Sequence, residues 1–397
     1  MVRTSPTSMR RPLHYPAKDV PRCDQQREIL TRGCGECIHY AVCGGRDAYI
    51  HDMFGCHDRC HTKCATTRCD LTCWNNQELF WERWAEVGGL LEFPHPSFLP
   101  LTSKQLPPYL SMIRSGIIRR RRLKSAFVAL SLYEILRTLK CGSAYRPMGS
   151  GQFRRKLRLR EDCKILAVGV GFDSQIETFW RHHSALIELL PPLDLVGVTM
   201  PNFSSFTDVP REHILYNRKR SLRLAGKLLD QGVAVVPHFN ATNWSDWEFS
   251  AQLLRETPSL SVFCKEFQTG NRLKTNFEEA VESMGKMQAL VGRPLHPIIV
   301  AGRKAVDLIK QSFSTFTLID SMPSMKTNKR QVIEVGAGGA VRWKTIRSRP
   351  NECIAHLLDH NLRVYTGAIE RTIRGQNGTL GAHRPAKNPG EVFLALA

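Results

Sequence analysis

No run of apolar residues in this 397-residue chain reaches the about 18 that a membrane-spanning helix requires. The first residues, MVRTSPTSMRRPLHYP, hold no apolar stretch that could act as a secretory signal. Together these absences predict a soluble protein of the reducing cytoplasm, with no membrane partner. No G-x-G-x-x-G follows the first apolar strand, so a dinucleotide-binding fold lacks its fingerprint. No serine–histidine–acid or cysteine–histidine arrangement stands out either. Acidic residues are scarce: 36 Asp and Glu stand against 56 Lys and Arg, a formal charge of +20 and a pI near 9.7. Such an excess implies a polyanionic partner, for which nucleic acid, and DNA in particular, is the usual choice.

What the chain has in quantity is cysteine, and nine of its 13 cysteines fall between Cys23 and Cys73. Cys34, Cys37 and Cys43 read C-x2-C-x5-C; Cys56, Cys60, Cys64, Cys69 and Cys73 follow at short gaps, with His57 and His61 among them. Thiolates this dense suit a metal better than a core. Disulfide staples are the competing reading, but a chain of this length buries enough surface to do without them. Tetrahedral zinc usually takes two C-x2-C pairs, and only Cys34 and Cys37 form one. The spacing therefore favours an iron–sulfur cluster of the 4Fe-4S type over zinc, in a structural role. The run Cys56-x3-Cys60-x3-Cys64 misses by one residue the C-x3-C-x2-C triplet of radical enzymes that use S-adenosylmethionine. It also precedes the α/β region instead of following a first strand.

Five regions follow from composition. Residues 1–22 are a flexible basic arm and 23–75 the cysteine module. Residues 76–160 read as a helical basic bridge. It holds the amphipathic LFWERWAEV, the Pro-rich FPHPSFLPLTSKQLPPYLSMI, and AFVALSLYEILRTL as a helix with an apolar stripe. Its run Arg119, Arg120, Arg121, Arg122 is either a solvated basic face or a set of phosphate contacts. From 161 to 330 apolar runs alternate with helical patterns: KILAVGVG, LDLVGVTM, GVAVVPHF, LSVFCKEF, HPIIVAG and FTLIDS. Continuous rather than alternating apolar strands imply burial on both faces, hence a parallel sheet covered by helices. Five or six such units predict an α/β chain with a (β/α) TIM-like barrel, complete or incomplete. Residues 331–397 form a basic C-terminal extension, in which LRVYTG (362–367) reads as a late strand.

Active sites of such barrels lie at the carboxyl ends of the strands. Read off the ends of the apolar runs, the candidates for catalysis are Asp173, Asp208, His238 and Glu266. Glu177 lies one turn beyond Asp173. The candidates for substrate binding are Asn202, Ser204, Asn240, Gln268, Arg303 and Asp320. Singly, each has a plainer reading as a helix cap or a core residue. As a set, carboxylates with amides suit chemistry at a base or sugar: an acid stabilises an oxocarbenium-like centre, and amides bond the edge of an extruded base. Trp244 and Trp247 either offer stacking faces or pack beneath the rim.

The segments LPPYLSMIRSG, GFDSQIETFW, TMPNFSSFTDVP, GVAVVPHFNAT, EFQTG and LIDSMP resemble a barrel family of unknown function found in phages, plasmids and mobile elements. The resemblance spans roughly residues 100–330. That family's pattern has an aspartate after the proline of the second-strand motif, where Asn202 stands here. The layout is more loosely similar to tRNA-guanine transglycosylase-like barrels, including relatives that exchange bases in DNA. Those use strand-end aspartates and a cysteine-bound zinc late in the chain, whereas these cysteines lie early. The resemblance implies a DNA-acting glycosylase or transglycosylase for a modified base, in a setting of defence against phages. The alternatives are a non-enzymatic nucleic-acid-binding protein and a radical S-adenosylmethionine-like enzyme.

Overall fold

The computed structural model of the chain describes residues 71–73, 76–89, 93–101, 103–114, 117, 119–205, 209–268, 274–336, 340–347 and 352–375. Cys34, Cys37, Cys43, Cys56, Cys60, Cys64, Cys69 and Asp208 lie outside the described residues. Eight short strands form one sheet: β1 (Tyr109–Ile113), β2 (Phe127–Ser131), β3 (Lys164–Val168), β4 (Gly197–Thr199), β5 (Val235–Val236), β6 (Val262–Glu266), β7 (His296–Val300) and β8 (Thr317–Asp320). Each strand lies beside its neighbours in chain order, every pair is parallel, and β8 returns to β1. Between the edge strands, Cys264 N–H donates to Pro237 O (2.7 Å) and Phe239 N–H to Cys264 O (3.1 Å). That single bridge, His238 to Cys264, brings the ends together. The fold is α/β, with an eight-stranded, nearly closed barrel of TIM-like type.

Alternation along the strands divides their side chains between two layers. Leu110, Ala129, Leu166, Val236, Cys264, Ile298 and Ile319 fill the interior. Val128, Leu130, Ile165, Val198, Phe263, Ile299 and Leu318 face outward into the larger core shared with the helices. The outer layer comprises α1 (Gln77–Glu86), α2 (Leu132–Leu139), α3 (Ser150–Lys156), α4 (Asp173–Ile187), α5 (Arg211–Asp230), α6 (Trp244–Glu256), α7 (Lys274–Val291), α8 (Val306–Ser312), α9 (Met322–Asn328) and α10 (Ala355–Ile373). The antiparallel hairpin β9 (Gln331–Val335) and β10 (Val341–Thr345) docks on α10, where Ile333 N–H donates to Asn361 Oδ1 at 2.9 Å. Among the described residues, no helix is long and apolar enough to cross a membrane.

All six apolar runs between 161 and 330 contain a strand, but the sheet begins earlier, at Tyr109. Two strands thus fall within the stretch read as a helical bridge. AFVALSLYEILRTL divides into β2 and α2, because FVALS lies between β1 and β3 and is buried through its centre. A short apolar run does not betray its period, and tertiary pairing decided it. LRVYTG is not a strand: it lies inside α10, where Leu362, Tyr365 and Ile369 are buried at helical spacing. LFWERWAEV forms most of α1, with Phe80 and Trp84 inward.

The β3 end approaches β4 so closely that a Cβ at Gly169 would lie 2.4 Å from Thr199 O. Gly169→Ala should therefore cost about 1–3 kcal/mol, as overpacking does. Gly226, inside α5 with nothing within 4 Å of its would-be Cβ, should instead gain about 0.5–1 kcal/mol as alanine. Urea unfolding of both variants checks this; equal effects would refute the close approach.

Candidate active site at the carboxyl ends of the strands

Four neighbouring strands, β3 to β6, set polar side chains on one arc of the carboxyl rim. Ser204 Oγ donates to Asp173 Oδ1 (2.6 Å), joining the loops after β4 and β3. Asn240 Nδ2 donates to Asn202 Oδ1 and to Phe203 O (3.0 Å for the latter), joining the loops after β5 and β4. Both amide protons of Asn240 are thus used. Its Oδ1 and the Nδ2 of Asn202 remain, an acceptor beside a donor, with no partner among the described residues. Glu266 ends β6, its Oε1 accepting the Gln268 N–H at 2.5 Å. Interior Val236 and Cys264 fix the register, so His238 and Glu266 follow on the interior face of adjoining strands. Asp173, on the far side of β4 and β5, is exposed, while Glu266 is 5% exposed.

His238 is 7% exposed, and neither of its ring nitrogens has a hydrogen-bond partner among the described residues. Burial, reinforced by the Lys265 charge, pushes its pKa down to about 3. The ring is therefore neutral near pH ~7 and suits hydrogen bonding. It borders a cavity of about 40 Å³ with Met200, Phe203, Phe239, Asn240 and Arg218, between the β4 and β5 ends and helices α5 and α6. At that size it admits a few waters, well short of the roughly 300 Å³ at which ligand pockets begin.

Buried charges hold this arc from behind. Arg220, 1% exposed, pairs with Glu177 (2.7 Å) and donates to Asn217 Oδ1 (2.5 Å). Its guanidinium lies 3.9 Å from the Phe203 ring centre, and Asn217 Nδ2 donates to Ser204 O (2.8 Å). The loop carrying Asn202 and Ser204 is thus clamped to α5. Asp246, 1% exposed, accepts from Arg211 (2.6 Å) and from Arg218, and its Oδ2 accepts the Thr242 N–H (2.8 Å). Burial raises its pKa, but Arg218 and Arg211 outweigh that and hold it below the usual carboxylate range. The loop after Asn240 is fixed in consequence. Trp247, 6% exposed, packs beneath the rim with the Lys265 ammonium 5.7 Å from its ring.

Other expected site residues lie away from this arc. Asp320 shares the outward face of β8 with Leu318, away from the mouth. It accepts from Tyr109 OH (2.9 Å), Tyr365 OH (3.0 Å) and Met322 N–H (3.0 Å), and Arg303 donates to Tyr365 OH (3.1 Å). Arg303 and Asp320 therefore tie β7 and β8 to α10 and are not part of the arc. Arg119 to Arg122 lie toward the opposite end of the barrel: Leu123 N–H donates to Arg158 O and Lys164 N–H to Ala126 O, each 2.8 Å, where β2 and β3 begin. Arg119 donates to Leu157 O (2.8 Å) and Arg122 pairs with Glu161 (2.9 Å), while Arg120 and Arg121 are exposed. They do not line the mouth. Cys73, the one described member of the cysteine set, is 5% exposed, and adjacent Thr72 N–H donates to His213 Nδ1 (3.1 Å) in the first turn of α5. Among the described residues, no group of three or more His, Cys, Asp or Glu could hold a metal.

Sequence reasoning missed Arg220 and Asn217, because RKRSLR in a helix reads as a solvated face. It also missed Tyr133, whose OH donates to Gly169 O (2.9 Å) under the rim. The chain matches no family model and no curated protein.

Burial also pushes His296 down to about 4, held between Thr315 Oγ1 (3.0 Å) and Thr317 Oγ1 (2.9 Å). An unfolded histidine takes its proton near 6.5, whereas His238 in the folded chain waits until about 3. Between those limits the unfolded state binds more protons, so stability falls as pH falls, by up to about 1.4 kcal/mol per pH unit for each histidine. The urea midpoint should be lower at pH ~5 than at pH ~7; an equal midpoint would show these rings protonating in the folded chain.

Proposed function

We propose that this chain is an enzyme acting on a nucleobase in DNA, breaking the bond between base and sugar by hydrolysis or base exchange. The observation that carries the reading is the polar set that neighbouring strands bring to the carboxyl rim: buried, neutral, unpartnered His238 on β5, with the Asn202–Asn240 pair keeping an uncommitted acceptor and donor on the loops after β4 and β5. Those are the groups that read the edge of a neutral heterocycle. The net charge of +20 supports a polyanionic substrate.

As the glycosidic bond breaks, positive charge develops on the sugar and Glu266 stabilises it from the interior. Asp173, oriented by Ser204, takes a proton from water as its oxygen bonds to C1′. The base leaves with the bonding electrons and gains a proton from solvent; in exchange, an incoming base replaces the water. Extrusion costs a few kcal/mol, which phosphate contacts elsewhere on the duplex offset. The cysteine-rich segment would hold an iron–sulfur cluster or zinc that supports folding.

Asp173→Asn and Glu266→Gln should keep DNA binding and metal content while slowing base release at least ~100-fold, the scale of a general acid–base group. Wild-type rates in both, with folding intact, would place the chemistry elsewhere. Separately, Cys34→Ser or Cys60→Ser should lower metal content and soluble yield together. Full metal content and full yield in both would remove the metal from the account, and a brown colour would decide iron over zinc.

A further inference from the structure

Phe172 is 53% exposed and stands at the carboxyl end of β3. A lone exposed aromatic is ordinary on a protein surface. Two further facts set this one apart. It occupies the N-cap of α4 without any side-chain capping bond, where serine, aspartate or asparagine would stabilise the helix. Its backbone is also held rigidly. A Cβ at Gly171 would strike the Tyr133 ring at 2.3 Å, so the chain lies flat against that ring. Tyr133 OH bonds Gly169 O (2.9 Å), Gly169 N–H bonds Thr199 Oγ1 (2.8 Å), and Phe172 N–H bonds Gln175 Oε1 (3.2 Å). The side chain departs from the residue types favoured at a helix start, on a backbone fixed by these contacts. Such conflicts concentrate at functional positions.

Position supplies the role. Phe172 immediately precedes Asp173, whose carboxylate is tied to Ser204, and Asn202 N–H bonds Gly169 O (3.1 Å) on the same rim. A rigid aromatic there borders the arc that would receive an extruded base. We infer that Phe172 is a wedge that enters the base stack and fills the gap left by the extruded base, making duplex rather than single-stranded DNA the substrate. This rests on the reading of the rim as a base site. An inserted aromatic stacks on the flanking bases and keeps the vacated position closed, so the displaced base stays out longer.

The test is a binding measurement that needs no knowledge of the target base. Full-length protein is titrated against a short duplex carrying one tetrahydrofuran abasic site and against the same duplex intact. The wild type should prefer the abasic duplex at least about fivefold, the lower end of what one base–aromatic stack contributes. Phe172→Asn should lose that preference while its urea midpoint rises, because asparagine caps α4. Phe172→Trp should keep the preference. Equal preference in wild type and Phe172→Asn, or none in the wild type, would overturn the wedge. Base release is measured separately. A preference without release leaves the wedge and sinks the catalytic reading, whereas release with no preference does the reverse.

Discussion

Closure of the barrel depends on Pro237, His238 and Phe239. Strand β5 is only two residues long, and the hydrogen bonds beyond it, to Cys264, connect it to β6. The residues that make this join also carry the site: His238 is the bridging residue and Asn240 follows directly. Phe239 stacks on Phe263, with ring centres 5.6 Å apart, which fixes the same turn from the helix side. Seam and pocket are therefore one structural element. A substitution that loosens the seam will disturb the rim around His238 and Asn240, and substitutions of His238 will strain the seam.

A few of the cations are inside. Arg154, Lys219 and Arg220 are each at most 4% exposed. Arg154 donates to the carbonyls of Cys163, Leu193 and Asp194 at 2.8–3.1 Å, and Lys219 Nζ to Gly89 O. Buried cations remain only where oxygens surround them, and here they hold loops and the segment before β1 against the barrel. The account asks surface charge only for non-specific affinity, and it gives recognition to the uncharged groups at the rim.

The fold was legible where burial on both strand faces produced runs such as KILAV and HPIIV, which admit little but a parallel strand. It was illegible at FVALS, whose apolar residues fit strand or helix until β1 and β3 are in place. Strand-end position placed Asp173, Asn202, Ser204, Asn240 and Glu266 on one rim, because parallel strands deliver their carboxyl ends together. It could not tell which side of a strand's last residue faces inward. Asp320 failed for that reason: one residue of register decides between the mouth and α10. Arg119 to Arg122 lie toward the other end of the barrel; a charge run carries no information about which end it will occupy. Arg220 and Phe172 were invisible because their meaning lies in contacts between distant segments.

The most direct measurement is mass spectrometry of the small molecules released when the purified chain is incubated with DNA containing modified bases and with unmodified DNA. The account predicts a free base in solution, with abasic sites in equal number for hydrolysis or an incorporated replacement base for exchange. DNA that is bound yet keeps every base across the panel would contradict it.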